Sequence, residues 1–333
     1  MNIEKMNIKK ISLSLAGIML ITIFSAGGLF LLTAKNSTEN ISSGNLRIVN
    51  VNEEKTASLD GISDIKIRVA TENINFIKTK DDYIRMDLHG RFFTTSVFNE
   101  QYFTVEKDNE KLDIKVSKDI LTGLNLFYKN NIKLDIYIPD TYSESLNIIS
   151  SSAKVNFDAL TLKTFMFSST RGALNAKNII SQNISLITSS GNISLGESEC
   201  DDFHFSSTRG NFYSKSLFSK KSVFNTSSGK VTIDKYRGNV DYTSTRGDLR
   251  INFEKFSNDI NIKTSSGNST IYLPVSSGFN IDFGTSSGKC KSDFEIKLSG
   301  MQVRNDIKGT VKDGKNKIIV TTTSGDVFLK ENK

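Results

Sequence analysis

The sequence predicts an all-β protein whose larger part is a parallel β-solenoid with coils of about 19 residues. A short Ser/Thr-rich phrase that ends in glycine recurs along the second half of the chain. The steps between its glycines are 19, 19, 19, 18, 20, 21 and 37 residues, and a fixed period near 20 is typical of stacked repeats. Around each glycine, apolar residues alternate with polar ones, which is the period of a strand with one buried face.

The repeated phrase has two forms that alternate over its first six copies. It reads Ser-Ser-Thr-Arg-Gly at 168–172 and 206–210 and Thr-Ser-Thr-Arg-Gly at 243–247, with Thr-Ser-Ser-Gly in between. We expect glycine to supply a turn conformation that other residues avoid, and the hydroxyls to bond to turn backbone. The last step is almost twice the others, which indicates one coil that has lost its signature. The turn glycines are Gly172, Gly191, Gly210, Gly229, Gly247, Gly267, Gly288 and Gly325.

Each repeat is interpreted as a strand, a turn and a strand that together cannot bury their apolar face. Stacked repeats can bury this face, because each strand pairs with its equivalent in the next coil at a spacing of about 4.8 Å. With one repeat per coil, the arginines of alternate repeats lie about 9.6 Å apart. With two repeats per coil they would lie about 4.8 Å apart and repel each other, so the 19-residue coil is favoured.

The solenoid domain is expected to span residues 146–333. Its first coil has Ala153 in the place of a turn glycine, because Ala153 lies 14 residues after Pro139 just as Gly288 lies 14 residues after Pro274. Residues 46–145 are expected to form a β-rich cap region, since a stack needs covered ends. An uncovered end would promote association, so a homo-oligomer is also expected. Strands are predicted there at Ile65–Val69, Ile74–Ile77, Tyr83–Leu88, Tyr102–Val105, Leu112–Val116 and Ile132–Ile138.

The start of the chain predicts a membrane anchor. Residues 1–10 form a basic cytoplasmic tail, and 11–33 are 23 residues without a charge, enough as a helix to cross a hydrocarbon core of about 30 Å. The basic flank places the rest of the chain outside the cell membrane, after a linker at 34–45. A cleaved signal peptide ending near Ala26-Gly27-Gly28 is the alternative. The apolar run continues past that point, which favours an uncleaved single-pass anchor.

The composition argues against several functional classes. The net charge of +7 is spread along the chain, without a basic tract that would indicate nucleic-acid binding. The two histidines and many serines show no metal-ligand or Ser/His/Asp grouping, so no cofactor, metal or catalytic residue is predicted. Asp201-Asp202 is the only adjacent acidic pair in the repeats, which disfavours a carbohydrate-active β-helix enzyme. Cys200 and Cys290 should lie about 19 Å or more apart, too far for a disulfide.

Arg171, Arg209 and Arg246 are the candidate anion-binding residues. Arginine binds phosphate and carboxylate groups in a fork geometry. A row of arginines on a rigid surface suits an anionic envelope polymer, such as teichoic acid or an acidic glycan. The alternative is that the three side chains pair with neighbouring acids or only solvate the turns.

The chain resembles the bacterial putative-adhesin β-strand-repeat family of Firmicutes over about residues 56–330. The resemblance rests on Ile136-Tyr137-Ile138-Pro139, on the Ser/Thr-Ser-x-Gly turns and on Ile319 to Val327. It implies a β-solenoid at the surface of a Gram-positive cell, without catalytic residues, and some relatives take part in envelope-stress responses. The expected function is that of an adhesin or scaffold that binds an anionic polymer, a lipid or an envelope protein. An envelope-stress sensor that acts through protein partners is the first alternative, and a carbohydrate-active enzyme is the second.

Overall fold

The computed structural model describes residues 47–94, 103–116, 130–299 and 306–332, which form one compact unit. The predicted tail, anchor and linker at 1–45 lie outside the described residues. Every regular element of the described part is a strand, as the all-β prediction requires. None of the described residues form a helix long and apolar enough to cross a membrane.

The first eight strands occupy the region before the repeats and the entry into them. All six strands predicted between residues 65 and 138 are present, most of them with longer bounds. The strands are β1 (Arg47–Ser58), β2 (Asp64–Val69), β3 (Asn73–Thr79), β4 (Tyr83–Thr94), β5 (Phe103–Asp108), β6 (Lys111–Val116), β7 (Asn130–Pro139) and β8 (Ser145–Ser150).

The remaining strands contain the repeats. Five long strands each follow most of one coil, and shorter strands complete the later coils. They are β9 (Lys154–Ser169), β10 (Ala173–Thr188), β11 (Ile193–Ser207), β12 (Phe212–Thr226), β13 (Val231–Ser244), β14 (Leu249–Phe253), β15 (Ile260–Thr264), β16 (Ser269–Leu273), β17 (Phe279–Thr285), β18 (Cys290–Ser292), β19 (Lys297–Leu298), β20 (Asp306–Val311), β21 (Asn316–Thr322) and β22 (Val327–Glu331).

One coil contains one repeat. Leu174 of β10 pairs in parallel with Val155 of β9 on one side and with Ile193 of β11 on the other. The 19-residue coil is therefore confirmed, and the coil of two repeats is excluded. This register places equivalent residues of consecutive repeats directly above one another.

The inward-facing residues form a continuous apolar core along the stack. Aromatic rings of neighbouring coils meet in its centre, where the centroids of Phe203, Phe212 and Phe224 lie 5.3 to 5.6 Å apart. Full burial stabilises each such side chain by roughly 1.5–3 kcal/mol relative to its exposed state. Burial of this core therefore provides the driving force for folding, and the turns determine the register of the paired strands.

A hydroxyl group fastens each turn. The side-chain oxygen of the residue three positions before each turn glycine accepts the glycine N–H, with donor–acceptor distances of 2.6 to 3.1 Å. The Ser/Thr content of the phrase is thereby explained, because each hydroxyl satisfies a backbone N–H that water does not reach. The eight residues are Ser169, Thr188, Ser207, Thr226, Ser244, Thr264, Thr285 and Thr322.

The turn glycines are required by close packing and not by their backbone angles. The positive-φ glycines of the described chain are Gly61, Gly90, Gly238 and Gly314, so the conformational role expected for the turn glycines is wrong. A Cβ atom at Gly191 would lie 1.7 Å from the carbonyl oxygen of Gly172 in the coil below. Each turn thus rests on the backbone of the preceding turn, with no room for a side chain.

The residue after the glycine joins neighbouring turns. In several coils it is Asn or Asp, and its side-chain oxygen accepts the backbone N–H at the same position of the next coil. These bonds measure 2.9 to 3.1 Å and run along the stack from Asn192 to Asn211 to Lys230, and from Asp248 to Asn268 to Asp326 to Lys289.

The last coil of the sequence is not the last coil of the stack. β21 lies between β15 and β17, and β22 lies between β16 and β18, all in parallel. The expectation that a coil had lost its signature is therefore wrong. After the coil around Gly267, the chain leaves one coil position of the stack empty and forms the outermost coil around Gly288. It then returns, and the coil around Gly325 occupies the empty position. The chain between the Gly288 and Gly325 turns contains β19 and β20, and β20 pairs antiparallel with β17.

The other end of the stack is interleaved in the same way. β2 and β3 pair in parallel with β8 and β9 on one side and with β6 and β7 on the other. The parallel stack therefore continues past residue 146 into the region expected to be a separate cap. Antiparallel strands cover this end, with β5 against β6 and β4 between β1 and β7.

We expect Gly210→Ala to destabilise the fold strongly. The new Cβ would lie 2.1 Å from the carbonyl oxygen of Gly191, and overpacking against backbone costs about 3 kcal/mol. Gly284→Ala is the matched control, because a Cβ there meets nothing within 4 Å. Chemical denaturation of both variants measures the difference. Equal unfolding free energies would contradict the close-packing account of the turns.

Candidate binding surfaces

The three predicted arginines lie on one edge of the solenoid, directly before the turn glycines. We call Arg171, Arg209 and Arg246 the arginine edge; all three side chains are exposed. Their backbone N–H groups donate to carbonyl oxygens of the preceding coil, over 2.7 to 2.8 Å. The backbone of each arginine is therefore held rigidly while its side chain is free to reach into solvent.

Serines separate the arginines along this edge. Ser190 and Ser228 occupy the same position in the intervening coils, and their hydroxyls donate to the carbonyl oxygens of Thr170 and Thr208 at 3.4 and 3.2 Å. The serine side chains are thus directed at the turn below. An arginine therefore stands on every second coil, with about 9.6 Å between the backbones of successive arginines.

The arginine edge carries uncompensated charge within the described part of the chain. None of its three side chains forms an ion pair with a described residue, whereas exposed lysines on other faces do, as in Lys177–Asp158 and Lys220–Asp201, both at 2.8 Å. The alternative of pairing with neighbouring acids is therefore not realised among these residues. Turn segments 150–154, 169–173, 188–192, 207–211, 226–230 and 244–248 add Lys154, Lys230 and one acid, Asp248. The carboxylate of Asp248 accepts the backbone N–H of Asn268 in the next coil.

A second surface, which the sequence did not predict, lies on the adjoining sheet face. Asn75, Asn156 and Asn175 stand side by side on β3, β9 and β10, and we call them the amide row. Asn156 Nδ2 donates to Asn75 Oδ1 at 3.0 Å, and Asn175 Nδ2 donates to Asn156 Oδ1 at 3.3 Å. Asp135 Oδ1 ends the row by accepting from Asn75 at 2.7 Å. The alignment of Asn156 with Asn175 could have been predicted from the sequence, because each lies three residues after a turn position.

The amide row forms one side of an open groove with a volume of about 860 Å³. Residues of β3, β9, β10, β11 and β12 line this groove, among them Asn75, Asn156, Asn175 and Tyr213. Two ion pairs line its rim, Lys177–Asp158 at 2.8 Å and Lys215–Glu197 at 3.3 Å. At one end lies Tyr213, which is 41% exposed.

An acidic cluster continues the same face toward the N-terminal end. His89 Nε2 lies 2.9 Å from Asp135 Oδ2, and Arg85 lies 3.5 Å from Glu54 and 3.6 Å from Asp87. Partial burial raises the pKa of Asp87, and Arg85 opposes this effect. Asp87 and Asp135 occupy paired positions of β4 and β7, and the charges of Glu54 and Asp135 raise the pKa of Asp87 further.

Other candidate chemistry is also accounted for by local structure. The described ranges contain no group of three His, Cys, Asp or Glu side chains placed to hold a metal ion. Asp201 of the acidic pair is bound by Lys220. His204 lies on the outward face of β11, as predicted, and burial lowers its pKa.

Both cysteines are free thiols, as the predicted separation requires. Because the C-terminal coil is interleaved, they lie six coils apart, or about 29 Å at the usual strand spacing. Burial raises the pKa of Cys200 to about 12, with further contributions from Asp202, Asp201 and Glu199. Burial also raises the pKa of Cys290 to about 11. Neither thiol is activated for nucleophilic or redox chemistry.

A family model described as Toastrack DUF4097 matches residues 62–330 of the chain. No curated protein sequence gives a significant match. Among solved structures, a putative lipid binding protein from Parabacteroides distasonis is 14% identical with a TM-score of 0.47, over 86% of this chain and 97% of that one. A putative adhesin from Parabacteroides merdae is 12% identical with a TM-score of 0.45, over 88% and 98%. A putative cell adhesion protein from Clostridium sporogenes is 13% identical with a TM-score of 0.26, over 85% and 100%.

We expect both thiols to resist alkylation in the folded protein. A thiol with a pKa near 11 has about a hundredfold less thiolate at pH 8 than one near 9, and only the thiolate reacts. Intact-mass measurement with iodoacetamide at pH 8 should show modification of Cys290 at least about a hundredfold slower than in guanidinium-unfolded protein, and of Cys200 slower still. Rapid labelling of either cysteine in the folded state would contradict its placement.

Proposed function

The chain belongs to the Toastrack DUF4097 family, and from this premise we propose that it is a non-enzymatic cell-envelope protein that binds an anionic surface polymer. The arginine edge is the observation that carries the proposal. Its guanidinium groups repeat along a rigid axis, are exposed, and form no ion pair with a described residue. Phosphate or carboxylate groups spaced along a polymer complement such a row.

The repeat of the arginine edge favours a polymer over a small anion. The backbones of successive arginines lie about 9.6 Å apart, so the edge spans about 19 Å and one phosphate cannot contact all three side chains. A chain with a negative charge on every unit can engage all three arginines together, and linked contacts raise the overall affinity above that of any single one. Teichoic acid and acidic glycans are polymers of this kind.

The proposed location is the outer side of a Gram-positive cell membrane. It rests on the 23 uncharged residues at 11–33 and on Lys5, Lys9 and Lys10 before them, which favour an anchor with its N-terminus in the cytoplasm. The polar residues at 34–45 would connect this anchor to the solenoid. On such a linker, the rigid stack would hold the arginine edge among envelope polymers.

Binding to teichoic acid-containing cell walls should depend on the arginine edge and on salt. We expect Arg171→Ser/Arg209→Ser/Arg246→Ser to lower the affinity about tenfold, because three exposed charge contacts of about 0.5 kcal/mol each are lost. Co-sedimentation of the full-length protein with purified walls measures this at low and high salt. Vesicles that contain phosphatidylglycerol test whether an anionic lipid replaces the polymer.

A matched variant separates position from net charge. Lys163→Ser/Lys220→Ser/Lys221→Ser removes the same charge from lysines that are paired with acids on other faces, and we expect its binding to stay close to that of the wild type. Wall binding that survives the arginine changes would place the site elsewhere on the solenoid. Absence of binding to walls at low salt would contradict the proposed function.

A further inference from the structure

The groove along the amide row has the chemistry of a second binding site, separate from the arginine edge. We propose that this groove binds a neutral glycan chain. The inference does not depend on the proposed anionic-polymer function, because it rests on different residues and a different ligand chemistry.

The first reason is the hydrogen-bonding capacity that the amide row leaves open. A primary amide offers two N–H donors and two acceptor lone pairs. Asn156 uses one donor toward Asn75 and one lone pair toward Asn175. One donor and one acceptor of Asn156 are left for a ligand, at a position that the two row contacts hold fixed. A sugar hydroxyl is itself both donor and acceptor, so it matches such a pair.

The second reason is the exposed aromatic ring of Tyr213. The side chain is 41% exposed, and its hydroxyl donates to Asp234 at 2.7 Å, which fixes the orientation of the ring. An oriented ring beside polar groups offers an apolar surface and directional contacts together. The C–H face of a pyranose packs on such a ring while its hydroxyls reach the amides.

The third reason is the charge balance of the rim. Lys177 is bound by Asp158, and Lys215 is bound by Glu197. The groove therefore attracts neither cations nor anions strongly, in contrast to the arginine edge. An extended peptide is disfavoured, because strand addition needs unpaired backbone groups at a sheet edge. The strands under the groove already pair with neighbours on both sides.

The test is co-sedimentation of full-length protein with insoluble chitin and cellulose, two neutral polysaccharides, in 0.5 M NaCl to screen ionic contacts. We expect retention on at least one of them. Tyr213→Ala and the double change Asn156→Ala/Asn175→Ala should each lower the affinity about tenfold, because each removes directional contacts to the sugar. Tyr213→Phe keeps the ring but loses the hydroxyl contact to Asp234, so it should lower the affinity by only about threefold, less than Tyr213→Ala does.

Two controls keep the outcome interpretable. Asn261→Ala removes a comparable inter-coil amide contact, to Asp241 at 3.3 Å on another face, and should not affect retention. The arginine-edge triple variant should also keep full retention, so failure of one proposal is distinguishable from failure of the other. Thermal unfolding checks each variant, and Tyr213→Ala serves if the double amide variant does not fold. Retention on neither polysaccharide, or retention insensitive to Tyr213→Ala, would overturn the inference.

Discussion

The whole structure depends on how closely consecutive turns approach each other. The glycine carbonyl of one turn occupies the space where a side chain of the next would begin, as at Gly172 and Gly191. A shift of one residue between two coils would place a Cβ against that carbonyl and turn each strand's buried side chains to the surface. The turn column therefore fixes the register, and the Ser/Thr hydroxyls hold each turn in the form that makes this contact.

A fixed register converts sequence spacing into rows of side chains. Residues at one offset from the glycine lie in a line along the stack, so the arginines become a charged edge and the asparagines become an amide row. The two rows differ in chemistry because they occupy different offsets. One scaffold thereby presents a cationic edge and a groove whose rim charges are balanced.

Much of the fold could be predicted from the sequence, because the repeat reports a local constraint. The period of the glycines predicted the coil length, and Ala153 was placed correctly although it breaks the phrase. The interleaving at both ends could not be predicted, because Gly288 and Gly325 carry equivalent turns and nothing local indicates which coil is outermost. At the other end, Glu72 stands in the register of the turn glycine, and its carboxylate accepts the N–H groups of Ala70 and Thr71. No phrase marks that coil.

The candidate sites were predictable to a smaller extent. The arginines stood out because they lie inside the repeated phrase. The amide row lies outside it, and Asn75 belongs to a coil without the phrase, so its alignment with Asn156 and Asn175 depends on long-range pairing. The lining of the groove comes from β3 and from β9 to β12, so it depends equally on the pairing of β3 with β9.

The order of the coils is the most direct test of this account, because every row on the surface follows from it. Two doubly spin-labelled proteins, one labelled at positions 171 and 289 and one at 171 and 324, are prepared in a Cys200→Ser/Cys290→Ser background. Double electron–electron resonance measures the distance between the labels in each. The interleaved stack predicts about 34 Å between the backbones at 171 and 289 and about 29 Å between those at 171 and 324. The reverse order, with 324 farther from 171 than 289 is, would show that the coils stack in sequence order and would contradict the account.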